Sequence, residues 1–262
     1  MHFIKIAALG QDYIFSDGKD AYKNIADSDV IKICDRVSGA GATGIFAINQ
    51  KEPENAQIRA FDKNGKLMRE SSTALICACL GANIATGGKS SEILCEKMAF
   101  SAHIFPSDNN IQPIVCQQKV VGCKSHNYKT ELGNRILSVF PVVTTGTYLV
   151  HFSECMNLLN FAYLSKNAST VTKYGKNPYL ILAQLQGRNS LAVSRILADG
   201  EYIVPYAGGF MATALAACYT DRCSFDEEIK LSCENYEAYA VCKEDNTVML
   251  HTGAEIIYEG DI

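Results

Sequence analysis

The chain has 262 residues and a mass of 28.6 kDa, long for one compact core and comfortable for two domains of about 100–150 residues each. Apolar residues make up 48% and charged residues 20%, which excludes wholesale disorder. A net charge of −4, a pI of about 5.8 and the lack of a basic stripe argue against nucleic acid as a partner. No apolar run approaches the roughly 18 residues of a membrane helix, so no membrane partner is expected. The start, Met1-His2-Phe3-Ile4-Lys5, has no signal-peptide pattern, and the expected location is cytoplasmic.

The first segment alternates, with Phe3, Lys5 and Ala7 on one face and His2, Ile4 and Ile6 on the other, and predicts a strand ending at Leu9-Gly10. A second strand runs through Tyr13-Ile14-Phe15. Asp27-Ser28-Asp29 caps a helix predicted from Val30 to Arg36. A loop of small residues, Gly39 to Gly44, leads to the strand Ile45–Ile48. Ala56–Phe61 is a further strand, followed by the turn Asp62-Lys63-Asn64-Gly65. Ser71-Ser72-Thr73 caps a helix from about Ala74 to Ala85, closed by Gly87-Gly88. Strands separated by turns follow: Ser91–Cys95, His103–Phe105, Ile111–Cys116 and Tyr148–Phe152. Leu180–Leu185 and Leu191–Leu197 flank the turn Gly187-Arg188-Asn189. Gly208-Gly209 opens an apolar helix from Phe210 to about Tyr219, and the strands Glu228–Ser232, Ala238–Cys242 and Val248–Ile257 close the chain.

The two halves match: each is mostly strands around one apolar helix entered through small residues, an internal duplication at domain scale. The expected fold class is α+β, with two pseudo-symmetric domains. Each domain is a barrel-like sheet wrapped round a central helix. The N-terminal domain is placed at residues 1–115 and the C-terminal domain at 116–262; return of the last strand to the first domain is left open. A cleft between them, where the helix N-termini converge, suits a carboxylate, because unpaired N–H groups and the helix dipole attract anions.

Eleven cysteines are present, an odd number, with no CxxC pair and no histidine at ligand spacing. Neither a zinc site nor a disulfide framework is expected, and buried free thiols are the default.

Several segments carry a family resemblance. Met1–Lys5 through Leu9-Gly10-Gln11-Asp12-Tyr13 resembles an opening that ends Leu-Gly-Asn-Asp-Phe. Asp35-Arg36 with Gly39–Ala42 resembles "DR…GIGAD", and Arg59–Gly65 resembles "RIFNADG". Met249–Glu255 with Ile256–Ile262 resembles "MTGPAEFVFEGEI". In this order and spacing they resemble diaminopimelate epimerase, over essentially the whole length. The resemblance implies that family's fold and a cofactor-free isomerase ancestry within lysine biosynthesis, independent of pyridoxal phosphate and of metals. In the family, one cysteine thiolate removes the α-proton and an opposing thiol delivers another; a thiol near pKa 8.5 suits this when a helix N-terminus lowers it.

The resemblance places the first cysteine at Ser71 and the second at Ala207, with Met211 the result of a shifted alignment. Both catalytic positions are therefore substituted. The substrate-gripping positions carried over are Gln11, Thr43, Asp62, Ser72, Thr73, Thr147, Ala198, Asp199, Gly208 and Gly209. The Glu-Arg pair of the family has become Ala198-Asp199, a cation replaced by an anion. A site stripped of matching groups loses discrimination by factors of about 10⁴–10⁵. Three readings follow. The first is an epimerase-like protein without two-thiol chemistry that binds a small carboxylate or an amino-acid-like ligand. The second is a racemase, epimerase or isomerase of another substrate, working through Glu70, Ser71 or Tyr206. The third is a structural paralogue that partners an active epimerase. A homodimer is left open. Plain helix capping competes with any catalytic role for Ser71.

Overall fold

The computed structural model describes residues 2–16, 25–49, 57–67, 71–88, 92–95, 100–105, 107–120, 122–123, 128–132, 135–144, 146–154, 178–196, 202–203 and 206–261. The chain divides into two compact units: Met1–Cys116 with His251–Ile262, and Gln117–Leu250.

The first unit contains β1 (His2–Ala8), β2 (Gln11–Ser16), α1 (Asp27–Cys34), β3 (Gly44–Asn49), β4 (Gln57–Asp62), α2 (Ser72–Ala85), β5 (Glu92–Cys95), β6 (Phe100–Ile104) and most of β7 (Ile111–Lys119). β1 pairs antiparallel with β2, β2 parallel with β3, and β3 antiparallel with β4. The parallel step needs a long crossover, and the chain supplies one that includes α1. Phe3, Ile14, Ile45 and Phe61 pack with Val30, Ile33 and Cys34 of α1. α2 packs against β1, β2, β3, β5 and β6, so its residues from Ser72 to Ala82 are all buried. A helix enclosed by sheet has no polar face, which explains its continuous run of Ala, Leu, Ile and Cys.

The second unit contains β8 (Gly122–Cys123), β9 (Tyr128–Leu132), β10 (Arg135–Val143), β11 (Thr147–Phe152), β12 (Tyr179–Gly187), β13 (Ser190–Ile196), β14 (Tyr202–Ile203), α3 (Ala207–Tyr219), β15 (Glu228–Cys233) and β16 (Tyr236–Cys242). β17 (Thr247–Asp261) starts in this unit, and its last residues pair antiparallel with β1 from His2↔Asp261 to Ala7↔Glu255. β10 pairs antiparallel with β11, β11 parallel with β12, and β12 antiparallel with β13. A buried helix and an antiparallel hairpin, β15–β16, come next. The first unit runs through the same succession: antiparallel, parallel, antiparallel, buried helix, then the β5–β6 hairpin. The duplicated pattern of the sequence is therefore a duplicated order of strand pairing.

Two helix starts differ from expectation. α1 begins at Asp27, not Val30, because the Ala26 carbonyl accepts from the N–H groups of Asp29 and Val30, and Asp27 and Asp29 sit in the positive first turn. It stops at Cys34, since Asp35 turns out of the helix and its carboxylate accepts from the N–H groups of Val37 and Ser38. α3 begins at Ala207 and takes Gly208 and Gly209 into its first turn. The helix closing at Gly87 (φ 62°) and Gly88 (φ 82°) uses the left-handed region that glycine enters without a Cβ clash.

Candidate functional site

Ser71, where the resemblance places the first cysteine, is the N-cap of α2. Its backbone is extended (φ −145°, ψ 107°), and its Oγ accepts from the Ala74 N–H at 3.2 Å. The Tyr13 hydroxyl lies 3.3 Å from the same Oγ, and it donates to Gln11 Oε1 at 3.1 Å. β2 presents both Gln11 and Tyr13 to this turn because they are two residues apart on one strand face. Tyr13 has a single O–H, given to Gln11; in the contact with Ser71 the serine is therefore the donor. Gln11 is only 5% exposed and Tyr13 1%. The Nε2 of Gln11 has no partner among the described residues. The structure thus joins two of the sequence-derived positions, Gln11 and Ser71, through a residue that the sequence reading passed over. The available signal was the phenol at Tyr13, where the resembling motif has Phe.

Thr43 and Asp62 stand close by but point inward. Asp12 Oδ1 accepts from both the Thr43 N–H (3.0 Å) and its hydroxyl (2.9 Å). The Asp12 carboxylate also receives a two-pronged contact from Arg36, at 2.6 and 3.0 Å, and lies 3.0 Å from Lys5 Nζ. Burial pushes the Asp12 carboxyl up; hydrogen bonds from Arg36, Lys5 and Thr43 outweigh it and hold its pKa at about 2. Lys5 further donates to the Gly41 carbonyl, and Tyr258 donates to the Ala40 carbonyl at 2.6 Å, so β1, β2 and β17 together fix the small-residue loop. Asp62 Oδ1 accepts from the N–H groups of Asn64 and Lys66, each at 2.9 Å, and so caps its own turn. Ser72 and Thr73 are buried in the first turn of α2.

In the second unit, Ala207 is fully buried at the start of α3, behind Tyr206 as N-cap. Ala207 brings no proton carrier, and Met211, one turn on, is also fully buried. The Gly209 N–H donates to the Tyr206 carbonyl at 2.8 Å, and the Gly209 carbonyl accepts from the Thr213 hydroxyl at 2.8 Å. The glycine pair is buried within the helix turn instead of presenting two open N–H groups. Thr147 opens β11 opposite Val143. Glu70, Ala198 and Asp199 lie outside the described residues.

The cysteines stand apart from both helix starts. Cys77 is on the second turn of α2, fully buried, and burial raises its pKa strongly. Desolvation likewise raises Cys34 and Cys223 to about 11. These thiols are protonated near neutral pH. Among the described residues no group of three or more His, Cys, Asp or Glu is placed to hold a metal ion.

No family model matches the chain. It is 34% identical over 67 residues to a chloroplastic diaminopimelate epimerase of Oryza sativa subsp. japonica; the match spans 25% of this chain and only 19% of that relative. A predicted epimerase from Pseudomonas aeruginosa superimposes with a TM-score of 0.70 over 100% of this chain and 98% of that one, at 11% identity. A hydroxyproline epimerase from Agrobacterium vitis, with bound trans-4-hydroxy-L-proline, superimposes with a TM-score of 0.64 over 99% and 91%, at 9% identity. The fold is that of the diaminopimelate-epimerase-like proteins: α+β, in two units, covering the full length. No helix among the described residues is long and apolar enough to cross a membrane.

Proposed function

We propose that the chain is an epimerase-fold protein without the two-thiol reaction, and that it binds a small carboxylate or amino-acid-like ligand at the turn where α2 begins. The setting of Ser71 carries this reading. Its hydroxyl is held between the Ala74 N–H and the Tyr13 phenol, and that phenol leads only to a neutral amide. A serine becomes a base or a nucleophile when an adjacent group takes its proton, and every link of this chain is neutral. Ala207 offers nothing in its place. General acid–base catalysis contributes about 10²–10⁴-fold per positioned group, and both groups are gone.

Ligand binding is supported by the fold and by the donor character of the α2 N-terminus. The hydroxyproline epimerase of the same fold holds an amino acid. Thr43 and Asp62 are occupied within the unit, which removes two of the groups an α-ammonium would need. A second reading, an isomerase of altered substrate, rests on the same fold and on Tyr206 at the α3 N-cap.

Two measurements decide. Diaminopimelate, proline and other amino acids incubated with the protein in D₂O should gain no α-deuterium beyond a protein-free control; enrichment would establish the isomerase reading and end the first. In a thermal-shift screen, a bound carboxylate at a hundredfold excess over Kd adds about 2.7 kcal/mol, a readable rise in Tm. A flat response across carboxylates and amino acids would remove the ligand.

A further inference from the structure

The hydrogen bonds at the start of α2 run in one direction. The Ala74 N–H donates to Ser71 Oγ, the Ser71 hydroxyl donates to Tyr13 Oη, and the Tyr13 hydroxyl donates to Gln11 Oε1. The direction is imposed at the helix end, where unpaired backbone groups are donors only and carry the positive end of the dipole. Each hydroxyl that accepts on one side is polarised to donate on the other. The last member is an amide. With its oxygen held by Tyr13, its Nε2 is the group left over, and it has no partner among the described residues although Gln11 is 95% buried, being 5% exposed. A buried amide donor without a partner is costly in the absence of water or ligand.

Resting on the ligand reading above, we propose that Tyr13 is the specificity-determining positioning residue of this subsite. It passes the donor character of the α2 N-terminus to the Gln11 amide, so that the subsite takes a hydrogen-bond acceptor, a carboxylate oxygen, and rejects an ammonium. The residue acts through Gln11 and touches no reacting atom. If Gln11 were free to turn, the same amide would offer its oxygen to a cation equally well; the phenol removes that choice. Asp62 and Asp12, the carboxylates at hand in this unit, are engaged with their own turn and with Arg36, Lys5 and Thr43, so no anion offsets the donor.

The test uses the intact, ¹⁵N-labelled chain and two probes of matched size, acetate and methylammonium. The Gln11 side-chain NH₂ pair is assigned by its loss in Gln11→Glu. Acetate should move this pair, and methylammonium should leave it in place. In Tyr13→Phe the apparent Kd for acetate should weaken by about 10-fold or more, the scale of one hydrogen bond to a charged group, and methylammonium should now move the pair. A purely structural role for Tyr13 would lower Tm without this exchange of preference. An unchanged acetate Kd in Tyr13→Phe overturns the assignment, as does a wild-type Gln11 pair that follows methylammonium. Acetate that moves other resonances but not Gln11 also overturns it, with the ligand reading intact. Acetate that moves nothing overturns the ligand reading itself. Should Tyr13→Phe fail to fold, Gln11→Glu serves: it keeps an acceptor for the phenol and has no donor. Acetate binding, read at the Ser71 and Ala74 backbone amides, should fall at least 10-fold, and retention overturns the assignment.

Discussion

Asp12 gathers more polar contacts than any sequence-derived site residue, and its role is to hold the loop before β3. Its folded pKa of about 2 lies below the value near 3.9 of an unfolded aspartate, so the folded state favours the ionised form. The stabilisation is complete above the unfolded value and is lost as pH falls through the folded one, a window from about pH 4 to pH 2. Asp12→Asn should cost about 1.5–3 kcal/mol near neutral pH, the scale of hydrogen bonds to a charged group. The difference in denaturation midpoint between wild type and variant should narrow toward pH 2; a constant gap from pH 6 to pH 2 would refute the assignment. Nothing local in the sequence announces this network, because Lys5, Asp12, Arg36 and Thr43 are brought together by the β1–β2 pairing and the parallel β2–β3 crossover. Position alone made Thr43 and Asp62 look like ligand-binding groups; only the coordinates reveal that their partners lie inside the unit.

At the scale of elements, α2 was legible because its cap, its apolar run and its closing glycines agree with one another. α3 was legible as a helix, but its start was not. Two glycines weaken a helix by about 1 kcal/mol each relative to alanine, and in isolation they read as a turn. Enclosure by β10–β13, β15 and β16 overrides that local cost. A glycine within α2 shows the opposite constraint. Phe15 and Phe46 stack at 5.3 Å between ring centroids, and a Cβ at Gly81 would stand 3.0 Å from the Phe46 ring and 3.1 Å from that of Phe15. Gly81→Leu would gain up to about 1 kcal/mol of helix propensity but forces a whole side chain into a packed core, at a cost of about 1–3 kcal/mol or more. Overpacking wins, and Tm should fall; an unchanged or raised Tm would mean that the aromatic pair can move aside.

For the whole molecule, the duplication was readable because each half repeats a strand-rich run around one apolar helix, and the pairing order repeats it in hydrogen bonds. The cysteines follow from that architecture. Strands and helices that are buried on both sides need small apolar fillers, and a free thiol serves as one. Eight of the eleven cysteines are buried and unbridged: Cys34, Cys77, Cys79, Cys116, Cys218, Cys223, Cys233 and Cys242. Burial disfavours the thiolate at Cys34, Cys77 and Cys223, and thiolate is the reactive form. A disulfide reagent at mildly alkaline pH should therefore modify no more than three thiols rapidly in the folded chain, and all eleven after denaturation. The slow remainder should react at rates set by opening of the structure, and so slow further under conditions that raise stability. Rapid reaction of a fourth thiol would mean that one of these elements opens readily. A thiolate at either helix start would be placed for proton transfer; the side chains there are those of Ser71 and Ala207, so rapid labelling should leave the N-terminal turns of α2 and α3 unmodified in a peptide map.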